Sequence, residues 1–162
     1  LKYLQPPLLL RNLKGRFSRV EGGPAFQLPW AGRGAAFGDI DNDGDLDLLV
    51  TNNGQGANLL RNDGGNRRDA VQVQLVGRMS NRDGVGARLQ ATTGSRTQIR
   101  EIKAGSSYLG QNSLRAHFGI GTAKEIERLE VRWPSGHVDV AEHIAANSII
   151  SLTEGGSVRR IK

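Results

Sequence analysis

Cysteine is absent from the 162-residue chain, so neither a disulfide framework nor a thiolate metal site is available. Aromatic residues are few: two Trp, two Tyr and four Phe, with no clustered stacking platform. With no zinc-ligand pattern and no recognition-helix pattern either, nucleic acid is not an expected partner. No G-x-S-x-G elbow occurs. His117, His137 and His143 stand outside any H-E-x-x-H or other metal-ligand spacing, so each reads as a surface or capping residue and no enzyme activity is expected. No apolar run approaches the roughly 20 residues of a membrane span. Leu8-Leu9-Leu10, after two prolines, is too short for a signal segment, which predicts a soluble chain without membrane insertion. Its opening at Leu1 reads as that of a processed chain or a fragment.

Glycine is abundant at 22 residues while lysine numbers only five, the balance of a strand-and-turn protein. The net charge of +6 hides an asymmetry. Five of the 16 acids fall within nine residues, leaving 22 cations against 11 anions elsewhere, and 17 of the cations are arginine. Arginine's planar fork suits carboxylate, sulfate or phosphate, so an acidic glycan is one candidate partner. An ordinary solvated surface explains the same residues, which alternate with acids and apolar side chains.

Those nine residues, Asp39 to Asp47, read D-x-D-x-D-G-x-x-D. Asp39, Asp41 and Asp43 occupy loop positions 1, 3 and 5, and Gly44 at position 6 permits the sharp turn. The carbonyl of Asp45 supplies position 7, and Asp47 can close the shell with both oxygens. An all-oxygen set of this size suits Ca²⁺ better than Mg²⁺. Position 12 of an EF-hand needs a bidentate Glu, but here it is Val50. The flanks Ala35-Ala36-Phe37 and Leu48-Leu49-Val50-Thr51 predict strands in place of helices.

Leu8-Leu9-Leu10-Arg11-Asn12 returns as Asn58-Leu59-Leu60-Arg61-Asn62, an offset near 50 that points to a propeller-type blade. From Val71 onward, apolar residues alternate with polar ones around Val71–Leu75, Val85–Ala91, Leu114–Phe118, Leu129–Trp133 and Ser148–Thr153. Turns are expected at Asn81–Gly84, Thr93–Ser95 and Pro134–Gly136. Short helical turns are expected near Thr122–Ile126 or Ala141–Ala146. The predicted fold is all-β: residues 1–66 form a partial blade with the calcium loop, and residues 67–162 form a small antiparallel sandwich or barrel.

Gly34-Ala35-Ala36-Phe37-Gly38-Asp39 through Leu49-Val50 resembles the FG-GAP (VCBS-type) repeat of calcium-binding β-propellers. Ser80–Arg88, Gly105–Asn112, His117–Gly121 and Val131–Gly136 are similar to the ASPIC/UnbV domain that follows such propellers in bacterial proteins and in secreted cartilage acidic proteins. The resemblance implies calcium at Asp39, Asp41, Asp43, Asp45 and Asp47, and a secreted or cell-surface binding or adhesion role. The chain departs from the family in holding barely more than one repeat, and in having Asn66-Arg67-Arg68-Asp69 where an aromatic entry to the second domain is expected.

Two loops offer ligand chemistry. Tyr108, Gln111 and Asn112 pair an aromatic with amides, as sugar sites do, and they equally suit loop packing. Arg82 and Asp83 offer paired donors and acceptors, or with Asn81 and Gly84 simply a β-turn. The expected function is a non-enzymatic, calcium-stabilised extracellular module for protein interaction, adhesion or self-assembly, with an acidic-glycan-binding module as the alternative. The open blade edge would be covered by missing propeller blades. Otherwise another copy would cover it, with Tyr3–Asn12 donated as a strand and filaments as the result.

Overall fold

Alternation with a period of two drives the architecture, because each strand must bury one face. A computed structural model describes residues 3–162, with Asn66 described by its backbone alone. Leu1, on which the reading of a processed start rests, lies outside these residues. The strands are β1 (Leu10–Leu13), β2 (Arg16–Arg19), β3 (Gly32–Gly38), β4 (Asp47–Asn52) and β5 (Asn58–Leu60). Then follow β6 (Asp69–Val76), β7 (Arg88–Thr93), β8 (Arg96–Glu101) and β9 (Ala116–Gly121). The chain closes with β10 (Glu125–Arg132), β11 (Val138–Ala145), β12 (Ser148–Thr153) and β13 (Val158–Arg160).

Two four-stranded sheets, ordered β11-β10-β7-β8 and β13-β12-β6-β9, face each other as a sandwich. Their inner faces supply one core that includes Val71, Val73, Leu89, Phe118, Ile126, Leu129, Val131 and Leu152, all essentially removed from water. Pairing is antiparallel among the described residues except between β6 and β12, which run parallel from Val71↔Ser148 to Val76↔Thr153. The expected turns are present: Gly94 separates β7 from β8, and the Gly136 N–H donates to the Trp133 carbonyl at 3.0 Å. Trp133 is buried at the end of β10, and its indole N–H donates to Asp139 at 2.7 Å.

The expected helical turns are strands instead. Residues 125–126 belong to β10, and 141–145 to β11. The reason is a local irregularity: Ile126 and Leu129 are both buried, as are Ala141 and Ile144, a spacing of three that mimics a helix. Opposite this stretch His143 holds φ at +54°, which re-aims the chain without leaving the ladder.

Residues 10–60 form two smaller sheets. β1 and β2 make a hairpin whose turn, Lys14-Gly15, has positive φ at both residues. β3, β4 and β5 form a three-stranded antiparallel sheet. Within the Tyr3–Asn12 segment, Gln5 bridges to Trp30, and Leu10–Asn12 pair with Phe17–Arg19 of the same chain.

The acidic loop and its docking on the sandwich

The β3–β4 connection carries the aspartates. Its geometry follows from short carboxylates folding back on backbone N–H groups. Asp39 accepts from the N–H groups of Asp43 and Gly44, both at 3.0 Å. Asp41 accepts from the Asp43 N–H at 3.3 Å, and Asp43 from the Asp45 N–H at 3.0 Å. Asn42 at φ +58° and Gly44 at φ +103° make the reversal that turns these side chains together. Carboxylate oxygens of Asp39, Asp41 and Asp43 come within 4.8 Å of one another.

Asp45 and Asp47 sit in the same turn but are buried. Asp47 pairs with Gly38 at the mouth of the hairpin and accepts from the N–H groups of Ile40 and Asn62, both at 2.9 Å. Asp45 accepts from the Gly64 N–H at 3.2 Å. These two side chains tie the loop to residues 62–64. Strands flank the loop on both sides, so an EF-hand is excluded on geometry.

The loop does not hang free. Gln72 on β6 and His117 on β9 are cross-strand partners, and both reach it. The Gln72 amide donates to an Asp39 carboxylate oxygen. His117 Nε2 lies 3.0 Å from the Gly44 carbonyl and donates to it. Arg115 Nη1 donates to the Asn42 side-chain oxygen and Lys162 Nζ to the Asn42 carbonyl, each at 2.6 Å. Beside the loop, the outer edge of β3 is paired as well. Ser107 Oγ accepts from the Ala35 N–H and Asn112 Oδ1 from the Phe37 N–H, both at 3.1 Å, while the Ser113 N–H donates to the Phe37 carbonyl at 2.9 Å. An edge that would invite foreign strands is thus covered by the β8–β9 loop.

The sequence-derived ligand candidates divide. Tyr108 is 65% exposed at the tip of that loop, whereas Asn112 spends its carbonyl oxygen on β3. Asn81–Gly84 is a turn: the Gly84 N–H donates to the Asn81 carbonyl at 3.0 Å, and the Asn81 side chain brackets Val85 from both sides. Asp83, Gln111 and Asn112 border one shallow cavity of about 330 Å³, which Arg82 and Tyr108 do not line.

Sequence reasoning missed Glu154. It is 1% exposed, and one of its oxygens accepts from three successive N–H groups, Arg78, Met79 and Ser80, at 2.7–2.8 Å. The other accepts the hydroxyls of Ser80 and Ser135. Burial opposes ionisation, but the Ser135 hydroxyl and the N–H groups of Ser80 and Arg78 outweigh it and hold the carboxyl at about 2. Two loops are pinned by one anion.

A β-sandwich reached through an acidic strand-loop-strand is the setting in which the family is recognised. Residues 77–159 match the ASPIC and UnbV family, and the chain belongs to it. Among curated proteins it is similar to cartilage acidic protein 1 of Homo sapiens, with 32% identity over 139 residues, and to that of Mus musculus, with 32% over 137. The match takes in 82% of this chain in both cases, and 20% and 21% of the relatives. The chain therefore spans about a fifth of the length of the curated relatives it matches. No helix among the described residues is long and apolar enough to cross a membrane.

Proposed function

We propose that the chain is a non-enzymatic, calcium-stabilised β module that serves protein interaction, adhesion or assembly outside the cell. The observation that carries this reading is the convergence of Asp39, Asp41 and Asp43 on one point of a loop docked to the sandwich. Hard oxygen donors in a turn of this kind fit Ca²⁺, which accepts six to eight oxygens and tolerates irregular geometry. Bound calcium would neutralise part of the loop's charge and hold the β3–β4 hairpin rigid against β6 and β9. Asp39, Asp41 and Asp43 would contribute carboxylates, Asp45 its carbonyl, and Asp47 would close the shell.

On this reading residues 1–66 are an FG-GAP/VCBS-like repeat and residues 67–162 the ASPIC/UnbV-like domain. An extracellular setting follows from likeness to proteins named for cartilage, and it predicts the weak calcium affinity of extracellular modules, with Kd of about 10⁻⁴ to 10⁻³ M. Exposed Leu49 and Leu59 on the three-stranded sheet, and exposed Leu8 just before β1, offer apolar surface for further blades or another copy.

Isothermal titration with Ca²⁺ tests the metal. Asp41 is exposed and holds only a local N–H, so Asp41→Ala removes a ligand without dismantling the turn. Saturable binding in the parent chain and its loss in Asp41→Ala are expected. No saturable heat in the parent would remove calcium from the function, and equal saturable heats in both would remove Asp41 from the site.

A further inference from the structure

On the side of the sandwich next to the acidic loop, a cleft of about 310 Å³ opens between Phe37 and the start of β9. Arg100, Lys103 and Arg115 line it, and Glu101 is its one acid among the described residues. Glu101 is answered by Lys103 at 3.6 Å. The two guanidiniums are held differently. Arg100 Nε donates to the His117 carbonyl at 3.1 Å, and its Nη1 to the Ile99 carbonyl at 2.8 Å. The same guanidinium lies 5.6 Å from the Phe118 ring centroid. Arg115 is fixed by the neutral side chain of Asn42. The ion pairs of the described residues include neither Arg100 nor Arg115.

Two guanidiniums line one concave site, each anchored by neutral oxygens, and give its wall a positive charge that an incoming anion complements. A guanidinium has five N–H donors, and the bonds above use two of Arg100's and one of Arg115's. Around them stand groups suited to hydroxyls. Asn112 uses its oxygen on β3, which leaves its amide N–H donors, and the Ser113 oxygen accepts from the Arg115 N–H, which leaves its hydroxyl hydrogen. Phe37 presents a half-exposed ring at the rim, the kind of flat apolar surface on which a sugar ring stacks. The volume is at the lower end of small-molecule sites, about the size of one or two sugar rings.

We infer that this cleft binds the sulfate or carboxylate of an acidic saccharide, with Arg100 and Arg115 clasping the oxyanion and Phe37 stacking on the ring. The cleft differs from the site suggested by the sequence, since Tyr108 points elsewhere and Asn112 enters through its nitrogen.

Binding of defined tetrasaccharides to the immobilised chain, at about 150 mM salt to screen diffuse attraction, tests it. The probes are a heparin-derived tetrasaccharide for sulfate, a hyaluronan tetrasaccharide for carboxylate alone, and uncharged chitotetraose. Saturable binding of at least one charged probe, none of chitotetraose, and a loss of at least about tenfold in Arg100→Gln are the expected results. Arg159→Gln, on the exposed strand β13, leaves binding unchanged, and Phe37→Ala weakens it. Arg115→Gln is added if its melting curve matches the parent's; if it does not fold, Arg100→Gln decides alone. Equal loss in Arg100→Gln and Arg159→Gln would reduce the interaction to diffuse charge and overturn the site. So would displacement of the saccharide by an acidic peptide at lower concentration, which would make the ligand a protein. Repeating the series with chelator separates this cleft from the metal: whatever the aspartates of the neighbouring loop do to overall affinity, the loss in Arg100→Gln is expected to persist.

Discussion

Gln72, buried in the sandwich on β6, donates its side-chain amide to the carboxylate of Asp39, the first aspartate of the acidic loop. A residue from one sheet therefore orients a ligand candidate on another. Removing a buried hydrogen-bond partner leaves the other group unsatisfied, so this contact joins loop geometry to sandwich docking. Coupling of that kind is reciprocal. If docking favours the metal-ready conformation, the metal must favour docking.

The first prediction follows. With calcium at about a hundredfold excess over Kd, linkage stabilises the fold by about 2.7 kcal/mol, and the melting temperature rises by roughly 5–10 °C. In Gln72→Leu the rise is expected to fall to less than about half of that, because Asp39 loses its donor from the sandwich and keeps only the loop's own Asp43 and Gly44 N–H groups. Differential scanning calorimetry with calcium and with chelator reads both values. An undiminished calcium increment in Gln72→Leu would separate the loop from the sandwich.

Glu154 makes a pH prediction. Its carboxyl is held down to about 2 from an ordinary value near 4.5. A depressed carboxylate contributes stability that is complete above the unfolded pKa and disappears as pH falls toward the folded one. Melting temperature is therefore expected to drop between about pH 4.5 and 2 as the Arg78–Ser80 and Ser135 loops lose their anchor. Glu154→Gln cannot accept the same set of donors as an anion. It should melt lower at pH 7, by about 5–10 °C, and show a shallower acid limb. An acid limb identical to the parent's would assign the low-pH loss to other carboxylates.

Legibility in the sequence followed periodicity and local turn chemistry. The aspartate loop was readable because its five side chains act within nine residues, and the sandwich because Val71–Leu75 and Leu129–Trp133 alternate cleanly. β8 was not readable. Its apolar Ile99 faces out at 46% exposure while polar Gln98 faces in at 9%, its amide donating to the Gly119 carbonyl. β10 and β11 mimic a helix through a spacing of three centred on His143. The docking contacts were out of reach for another reason: Gln72, Arg115, His117 and Lys162 lie 33 or more residues from their partners. Gln72 and His117 also fall on the polar positions of regularly alternating strands, so nothing in the sequence set them apart from solvent-facing residues.

His143 carries a second pH effect of opposite sign. Its ring lies 3.0 Å from Glu125, whose hydrogen bond and charge raise its pKa above 6.5. A raised histidine contributes stability that is full below the unfolded pKa and is lost as pH rises through the folded one. The side chain is solvent-exposed, so the effect is small and screened by salt. The backbone effect is larger. At φ +54° a non-glycine residue is strained, so His143→Gly should melt a few degrees higher, by about 1–3 °C, and lose the pH dependence near neutrality. A lower melting temperature in His143→Gly would mean that the ion pair outweighs the strain.

Gly34 tests how the β8–β9 loop is seated on β3. A Cβ built there would stand 2.5 Å from the Tyr108 carbonyl oxygen and 2.7 Å from Thr51 Oγ1, so Gly34→Ala cannot fit without moving backbone. Overpacking of this kind costs about 1–3 kcal/mol, or roughly 2–12 °C in melting temperature. The more telling readout is local. The Ala35 and Phe37 N–H groups are held by Ser107 and Asn112. Their hydrogen exchange should accelerate in Gly34→Ala, while amides of the sandwich core strand around Val71 and Val73 keep their protection. Uniform acceleration across both would mean that the two sheets open together as one cooperative unit. Unchanged exchange at Ala35 and Phe37 would mean that Tyr108 yields without unseating the loop, and that the β3 edge is held mainly from the acidic-loop side.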